Sequence, residues 1–212
     1  MLESKGMKRL GIMGGTFDPI HYGHLVTAEE ARGRFELDKV IFVPSGKPPH
    51  KKGYTVTEAR HRYLMTILAV ATNPYFEVSR LEIERKGYSY TIDTVSHFYE
   101  TSPKDCEIFF ITGADAILEI LTWKNVEELL GKTKFIAATR PGIDLKHLDA
   151  VVTQLPAHGS NAIFPLEAPA MAISSTDIRR RVKEDRSIKY LLPEAAEQYI
   201  YKNGLYLENG II

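Results

Sequence analysis

Residues 8–24 read KRLGIMGGTFDPIHYGH, and this stretch decides the fold. It begins with a short apolar run, passes through the pair Gly14 and Gly15, and changes to helical spacing from about Tyr22. A buried strand that turns directly into a helix is the first half of a βαβ unit. The residues between the two elements then lie beyond the carboxyl end of the strand, where open parallel sheets bind their ligands.

The same alternation of strand and helix continues along the chain. Short apolar runs bounded by turn residues predict further strands at 39–44, 76–79, 107–113 and 134–140, and a short one at 161–166. Helical spacing predicts helices at 22–35, 58–71 and 91–99, one that starts at 174, and one at 193–203. We therefore predict an α/β fold, a Rossmann-like doubly wound parallel sheet with a helical C-terminal part at 174–207.

Two finer expectations concern the first half of the chain. The strand at 76–79 is allowed to continue through residues 80–85. The helix at 58–71 follows a Thr55/Glu58 capping-box spacing. Its predicted apolar face consists of Tyr63, Leu64, Ile67, Leu68 and Ala71.

Composition excludes several classes of protein. The 212 residues are 44% hydrophobic and 25% charged, which is typical of globular chains, and we expect one domain over 1–212 with a disordered tail at 1–7. Lys plus Arg and Asp plus Glu both number 27, so no overall charge attracts a nucleic acid or an anionic membrane. Cys106 is the only cysteine, which excludes an internal disulfide. Without a long apolar run or a signal-peptide core, the cytoplasm is the expected location.

The first turn carries residues suited to anion binding. His21 and His24 lie three apart at a helix N-terminus, so both imidazoles share the face that favours anions. Gly14, Gly15 and Gly23 allow close approach of a ligand to the backbone. Taken singly, the glycines also fit an ordinary turn, and the histidines fit surface residues or part of a metal site.

A second anion-binding pattern lies at residues 173–179, ISSTDIR. Ser174 and Asp177 have the spacing of a helix cap, and the next turn offers backbone N–H groups, the hydroxyls of Ser175 and Thr176, and the guanidinium of Arg179. By itself this pattern also fits a capped surface helix with a solvated basic face.

Together, His21-Tyr22-Gly23-His24 and residues 173–179 resemble the adenylyltransferases of the H-x-G-H nucleotidyltransferase superfamily. The resemblance implies that His21 and His24 bind the α-phosphate of ATP during transfer. It implies that the second motif holds the β- and γ-phosphates. Its residues carried over here are Ser174, Ser175, Thr176 and Arg179. We expect the first turn to contact ATP as well, through Gly14, Gly15, Thr16, Phe17 and Gly23.

The middle of the chain resembles the bacterial nicotinate-nucleotide adenylyltransferases. The segments that carry this resemblance are PPHK at 48–51, YTIDT at 90–94, GAD at 113–115 with Trp123 downstream, and RPG at 140–142. The resemblance implies that Gly113, Asp115 and Lys51 bind ATP and that Thr91 and Trp123 bind the nicotinate group. Lys47, His50 and Arg140 are further expected contacts of the acceptor. Lys124 stands where an aromatic residue often follows the tryptophan.

These observations predict transfer of the adenylyl group of ATP to nicotinate mononucleotide. The partners are then ATP and nicotinate mononucleotide, with no nucleic acid and no membrane, and a homo-oligomer is permitted. The acceptor phosphate is already ionised, so no general base is needed and His21, His24 and Arg179 carry the catalytic role. Mg²⁺ is expected to arrive with ATP, held by phosphates and water, and no protein metal site is assigned. Asp18 is interpreted as structural.

Three alternatives stay open at this stage. Phosphopantetheine adenylyltransferase would share the ATP site and use a different acceptor. A regulatory nucleotide-binding domain would keep the fold without turnover. A metal-binding protein would use His21, His24 and Asp18 as ligands.

Overall fold

A computed structural model describes residues 7–48, 56–139, 150–155, 162–169 and 172–207. Within these residues, six strands form one sheet. They are β1 Arg9–Gly15, β2 Lys39–Pro44, β3 Phe76–Val78, β4 Glu107–Gly113, β5 Lys134–Thr139 and β6 Ile163–Glu167. The short strand expected at 161–166 is confirmed as β6.

The order of the strands across the sheet places β1 in the middle. The order is β3-β2-β1-β4-β5-β6, and every neighbouring pair is parallel. The chain builds outward from β1 to β3 and then returns to the other side of β1 with β4, where Met13 pairs with Ile111. The carboxyl ends of β1 and β4 therefore form the switch point of a doubly wound sheet, and the predicted fold class is confirmed.

Eight α-helices with defined bounds, together with a 3-10 helix at Ile120–Thr122, connect and flank the strands within the described residues. They are α1 Tyr22–Arg34, α2 Ala59–Val70, α3 Leu81–Glu84, α4 Thr91–Thr101, α5 Ala114–Leu118, α6 Val126–Lys132, α7 Ser175–Lys183 and α8 Glu194–Lys202. The last two form the C-terminal helical part that the sequence predicts.

Two apolar layers cover the faces of the sheet. Side chains alternate between faces along each strand, so neighbouring residues such as Ile12 and Met13 enter different layers. One layer packs the sheet against α1, α2, α7 and α8, and the other packs it against α4, α5 and α6. Met7, assigned to the tail by the sequence, is partly buried against the second layer.

Two expectations about the first half of the chain are wrong. The strand at 76–79 does not continue through residues 80–85, because Leu81–Glu84 forms the helical turn α3. The buried face of α2 is not the one expected from its apolar residues, since Leu64 is 40% exposed. Arg62, Met65, Thr66, Ala69 and Val70 are buried instead. Thr55 of the expected capping box lies outside the described residues.

None of the helices described is long and apolar enough to cross a membrane.

Candidate active site

The two histidines of the first turn are in contact at the start of α1. His21 is the N-cap residue of this helix, and His24 lies three positions later. The backbone N–H of His21 donates to Nδ1 of His24 at 3.2 Å, and the two rings stack with centroids 3.8 Å apart. The spacing H-x-G-H thus places both imidazoles at the helix end where unpaired N–H groups favour anions.

This contact fixes the protonation of His24. Desolvation around the partly buried ring, followed by the charge of His21, lowers the pKa of His24 well below its usual value of 6.5. Because Nδ1 accepts a hydrogen bond, the proton of the neutral ring resides on Nε2. His24 therefore offers an N–H donor without carrying a charge of its own.

Close packing holds the rings of both histidines in place. The ring of Phe17, which is buried, stands edge-on to the ring of His24, with centroids 5.1 Å apart. A Cβ atom at Gly23 would lie 3.0 Å from Cε1 and Nδ1 of His21, so glycine is needed there for the imidazole to lie against the helix. Phe17, which the sequence assigned to the ATP contacts, has its side chain in the apolar layer behind the histidines.

Asp18 holds the first turn in place through hydrogen bonds of its side chain, and its structural role is confirmed. Its side chain is buried, and its Oδ2 accepts the backbone N–H of Thr57 at 3.3 Å. The hydroxyl of Tyr206, near the end of the described chain, donates to Oδ1 at 2.9 Å. Burial, and then the charge of Asp18, raises the pKa of Tyr206, so its hydroxyl stays protonated and remains a donor.

The second motif starts α7 and is bonded to the first turn. Ser174 Oγ accepts the backbone N–H of Asp177 at 3.1 Å, which confirms the predicted cap. Ser175 Oγ donates to the carbonyl of Pro19 at 2.8 Å, and Arg179 Nη1 donates to the carbonyl of Asp18 at 2.6 Å. The two motifs, more than 150 residues apart in sequence, therefore form one unit.

The acidic residue of the second motif is held by its own helix. The guanidinium of Arg181, and then that of Arg180, lowers the pKa of Asp177 through hydrogen bonds to its carboxylate. This pairing keeps the Asp177 carboxylate engaged with basic residues of α7. The helix start therefore presents hydroxyls and backbone N–H groups to an anion rather than a free carboxylate.

The paired histidines and the start of α7 line a pocket of about 320 Å³. Seven sequence-predicted residues form part of its wall, namely His21, Gly23, His24, Gly113, Asp115, Ser174 and Ser175. Sequence reasoning missed its threonines, Thr27, Thr112 and Thr139. Thr176 and Arg179 do not belong to this wall. They contact each other through Arg179 Nη2 and Thr176 Oγ1 at 3.3 Å.

A second pocket, of about 520 Å³, lies on the other side of the same strand ends. It holds Gly14, Gly15 and Thr16, which the sequence assigned to ATP, together with the predicted acceptor residues Thr91 and Trp123. Other wall residues were not predicted and include Glu82, Ser89, Tyr90, Glu119, Thr122 and Lys124. Thr112 at the end of β4 borders both pockets.

Trp123 lies between the apolar core and the second pocket and contacts both. Its ring packs edge-on against Phe110 and Phe135, with centroids 6.3 and 6.0 Å away, and so belongs partly to the core. The side chain is only partly buried and also lines the second pocket. An indole held by edge contacts keeps an orientation suited to a flat ligand ring.

Arg62 is a further residue that the sequence did not single out. Its guanidinium is buried and donates to the carbonyls of Thr16 and Ser45, each at 2.6 Å, and to that of Thr57 at 2.8 Å. These carbonyls belong to the loops after β1 and β2 and to the segment before α2. Arg62 is one of two arginines in the first turn of α2, with Arg60, and nothing in the sequence distinguishes the buried one from the other.

The remaining residues that the sequence predicts as substrate contacts lie at the rim of the second pocket or outside the described residues. Lys47 is exposed, and its Nζ lies 4.9 Å from the centroid of the Tyr88 ring. Ser89 Oγ accepts the N–H groups of Gly46 and Lys47, which joins this rim to the segment before α4. His50, Lys51 and Arg140 lie outside the described residues. Across the described ranges, no cluster of three or more His, Cys, Asp or Glu side chains could hold a metal ion.

Comparison with known proteins agrees with this geometry. The sequence profile of the family described as "Cytidylyltransferase-like" matches residues 12–181. A protein of Moorella thermoacetica named "Probable nicotinate-nucleotide adenylyltransferase" is 65% identical over 93% of this chain and 91% of its own. One of the same name from a Thermoanaerobacter species is 58% identical over 96% of this chain and 98% of its own.

A solved structure shares the fold at low sequence identity. It is the Plasmodium falciparum nicotinic acid mononucleotide adenylyltransferase complexed with NaAD. The TM-score is 0.76 at 22% identity, covering 94% of this chain and 97% of that one. The two motifs, the sheet order and these relatives lead to one conclusion: this chain belongs to the nicotinate-nucleotide adenylyltransferase family of the cytidylyltransferase-like group.

Proposed function

We propose that this protein transfers the adenylyl group of ATP to nicotinate mononucleotide, giving nicotinate adenine dinucleotide and pyrophosphate. One observation carries the proposal. The segment from the end of β1 to the start of α1 borders two pockets, with Gly14, Gly15 and Thr16 on the larger and His21, Gly23 and His24 on the smaller. Such an arrangement suits two substrates that must meet end to end at the loop.

We assign the smaller pocket to ATP. Its wall combines the neutral N–H donor of His24 with the N-terminus of α7, so it can bind phosphates at one end. At the other end, Gly113 is the last residue of β4 and Asp115 lies in the first turn of α5, and both are suited to the nucleoside. Arg179 and Thr176 act from behind this wall, where Arg179 holds the backbone of the first turn and reinforces the positive field at the start of α7.

The larger pocket then receives the acceptor. Thr91 opens α4 and offers its hydroxyl and the N–H groups of the helix start, while Trp123 offers a flat aromatic surface. An acceptor whose ring lies near Trp123 can extend its phosphate toward the glycines of the first turn. Lys47, and residues His50, Lys51 and Arg140, are proposed as further cations along this path.

The reaction needs alignment and charge stabilisation rather than a base. An oxygen of the acceptor 5′-phosphate attacks the α-phosphorus of ATP, and the bond from that phosphorus to the bridging oxygen of the β-phosphate breaks. Pyrophosphate leaves with the bonding electrons, and no proton has to move. The Nε2–H of His24 donates to the α-phosphate, whose charge it stabilises, and His21 lies stacked against it.

Mg²⁺ is part of this proposal as the companion of ATP. Among the described residues that line the smaller pocket, Asp115 is the one carboxylate, which suits an ion held mainly by phosphate oxygens and water. When bound, the ion would neutralise part of the negative charge of the triphosphate. Location in the cytoplasm, a single domain over 1–212 and assembly into a homo-oligomer belong to the same proposal.

Pyrophosphate release tests the proposed function. The purified protein is given ATP and Mg²⁺ with nicotinate mononucleotide, nicotinamide mononucleotide or phosphopantetheine, each in a separate reaction. We expect turnover to be fastest with nicotinate mononucleotide and to be lost in His24→Ala. Faster turnover with phosphopantetheine would contradict the acceptor assignment, and ATP binding without turnover on any acceptor would contradict the enzyme assignment.

A further inference from the structure

We propose that Lys124 is a specificity-determining residue, whose ammonium group recognises the carboxylate of the acceptor and so favours the acid over the amide form. The inference rests on the proposed function and deepens it, because it names a residue that distinguishes the acid from the amide form of the acceptor. Nothing in the chemistry of adenylyl transfer itself requires this side chain.

Lys124 lies beside the groups that we assign to the acceptor ring. It follows Trp123 directly, and both residues line the larger pocket with Tyr90 and Thr91. Its Nζ lies 4.6 Å from the centroid of the Tyr90 ring, within the range of a cation–π contact. The ammonium group is therefore held over the start of α4, at the edge of the pocket.

The charged side chains of the pocket wall make this ammonium group important for binding a carboxylate. Among the described residues of its wall, the charged side chains are Glu82, Glu119 and Lys124. Two carboxylates oppose a ligand that carries a carboxylate, and within the part of the wall that the structure describes Lys124 supplies the one positive side chain. An uncharged amide group would gain far less from the same lysine.

The present partner of Lys124 holds it only loosely. Its Nζ lies 3.6 Å from Oδ1 of Asp93, and the two side chains are 46% and 37% exposed. Exposed ion pairs of this kind contribute little to stability. A lysine side chain is a flexible chain of four carbons, so the ammonium group can turn from Asp93 to a ligand carboxylate without disturbing the fold.

The only tryptophan of the chain makes the test direct. Because Trp123 lines the same pocket, its fluorescence reports acceptor binding without turnover. We expect Lys124→Met to raise the Kd for nicotinate mononucleotide about tenfold, or about 1.4 kcal/mol, and to change the Kd for nicotinamide mononucleotide less than twofold. Lys124→Arg keeps the charge and should retain most of the preference. Calorimetric titration provides a second readout that does not depend on the indole.

Two further variants sharpen the test. Lys39→Met removes an ion-paired lysine on β2, paired there with Glu77, and should leave both dissociation constants unchanged. Asp93→Asn releases Lys124 from its partner and should tighten binding of the acid form. This gain should largely disappear when Lys124→Met is also present, because it acts through the lysine.

The outcomes separate this inference from the function on which it rests. A shared loss of affinity for both mononucleotides in Lys124→Met, or an unchanged preference, would overturn the role of Lys124 while leaving the enzyme assignment intact. Failure of the unchanged protein to bind either mononucleotide would overturn the proposed acceptor and this inference with it. A selective loss for the acid, reversed in Lys124→Arg, supports the proposal.

Discussion

The backbone N–H of His21 donates to Nδ1 of His24, and the two imidazoles stack at 3.8 Å. One hydrogen bond therefore decides which nitrogen of His24 carries the proton. It also ties the protonation of a proposed catalytic group to the first turn of α1, because the donor is the N-cap residue of that helix. Fold and chemistry are coupled at this single contact.

The coupling predicts that His24→Asn separates the two roles. The Oδ1 atom of asparagine can replace Nδ1 as the acceptor for His21, while the Nε2–H donor is lost. We expect the rate of pyrophosphate release to fall about 10²- to 10³-fold, the usual cost of losing one oxyanion donor. Thermal unfolding should change little, whereas His24→Ala should lower both activity and the unfolding temperature. Near-normal turnover in His24→Asn would show that the Nε2–H donor is not used.

The lowered pKa of His24 predicts a pH-dependent stability. Between its depressed pKa in the folded protein and the value near 6.5 of the unfolded chain, the unfolded state binds more protons. The free energy of unfolding should therefore decrease as the pH falls below about 6.5. Urea denaturation across this range should show a smaller decrease for His24→Asn than for the unchanged protein. Parallel curves for the two proteins would contradict the assigned direction.

Two glycines of α1 predict opposite effects of the same substitution. A Cβ at Gly23 would lie 3.0 Å from ring atoms of His21, so Gly23→Ala should displace this imidazole and lower turnover at least tenfold. A Cβ at Gly33 meets no atom within 4 Å. Gly33→Ala should therefore leave turnover unchanged and stabilise the protein by about 0.5–1 kcal/mol, through helix propensity. Equal activities of the two variants would refute the role given to Gly23.

The hydroxyl of Tyr206 predicts a measurable contribution to stability. It donates to the buried carboxylate of Asp18, and hydrogen bonds to charged groups contribute about 1.5–3 kcal/mol. Tyr206→Phe should lower the free energy of unfolding by an amount in this range. Tyr201→Phe, at an exposed position of α8, should have almost no effect in the same denaturant titration. A loss below about 0.5 kcal/mol for Tyr206→Phe would indicate that water replaces the bond.

The central strands β1, β2, β4 and β5 could be predicted because each contains a continuous apolar run that is largely buried. The buried face of α2 could not. Arg62 is buried there because carbonyls from three separate segments accept its hydrogen bonds, and such a site exists only after the chain has folded. The helical turn α3 was missed for a similar reason. The sequence of residues 80–85 alternates in polarity like a strand, yet Glu82 turns inward and its Oε1 accepts a hydrogen bond from Thr94.

The candidate site was predicted where its residues are close in sequence. His21, Gly23 and His24 occupy one turn of helix, so their spacing already places them together. The division between two pockets was not predictable, because it depends on where β1 and β4 end relative to the start of α4. Gly14, Gly15 and Thr16, which the sequence assigned to ATP, line the pocket that we propose for the acceptor.

Following the α-phosphorus of ATP tests the central claim most directly. ATP labelled at the α-phosphate is incubated with Mg²⁺, nicotinate mononucleotide and the purified protein, and the products are separated and identified by mass. The account predicts that the label appears in nicotinate adenine dinucleotide and that the released pyrophosphate carries none. Label found only in AMP or ADP, with no dinucleotide formed, would contradict it.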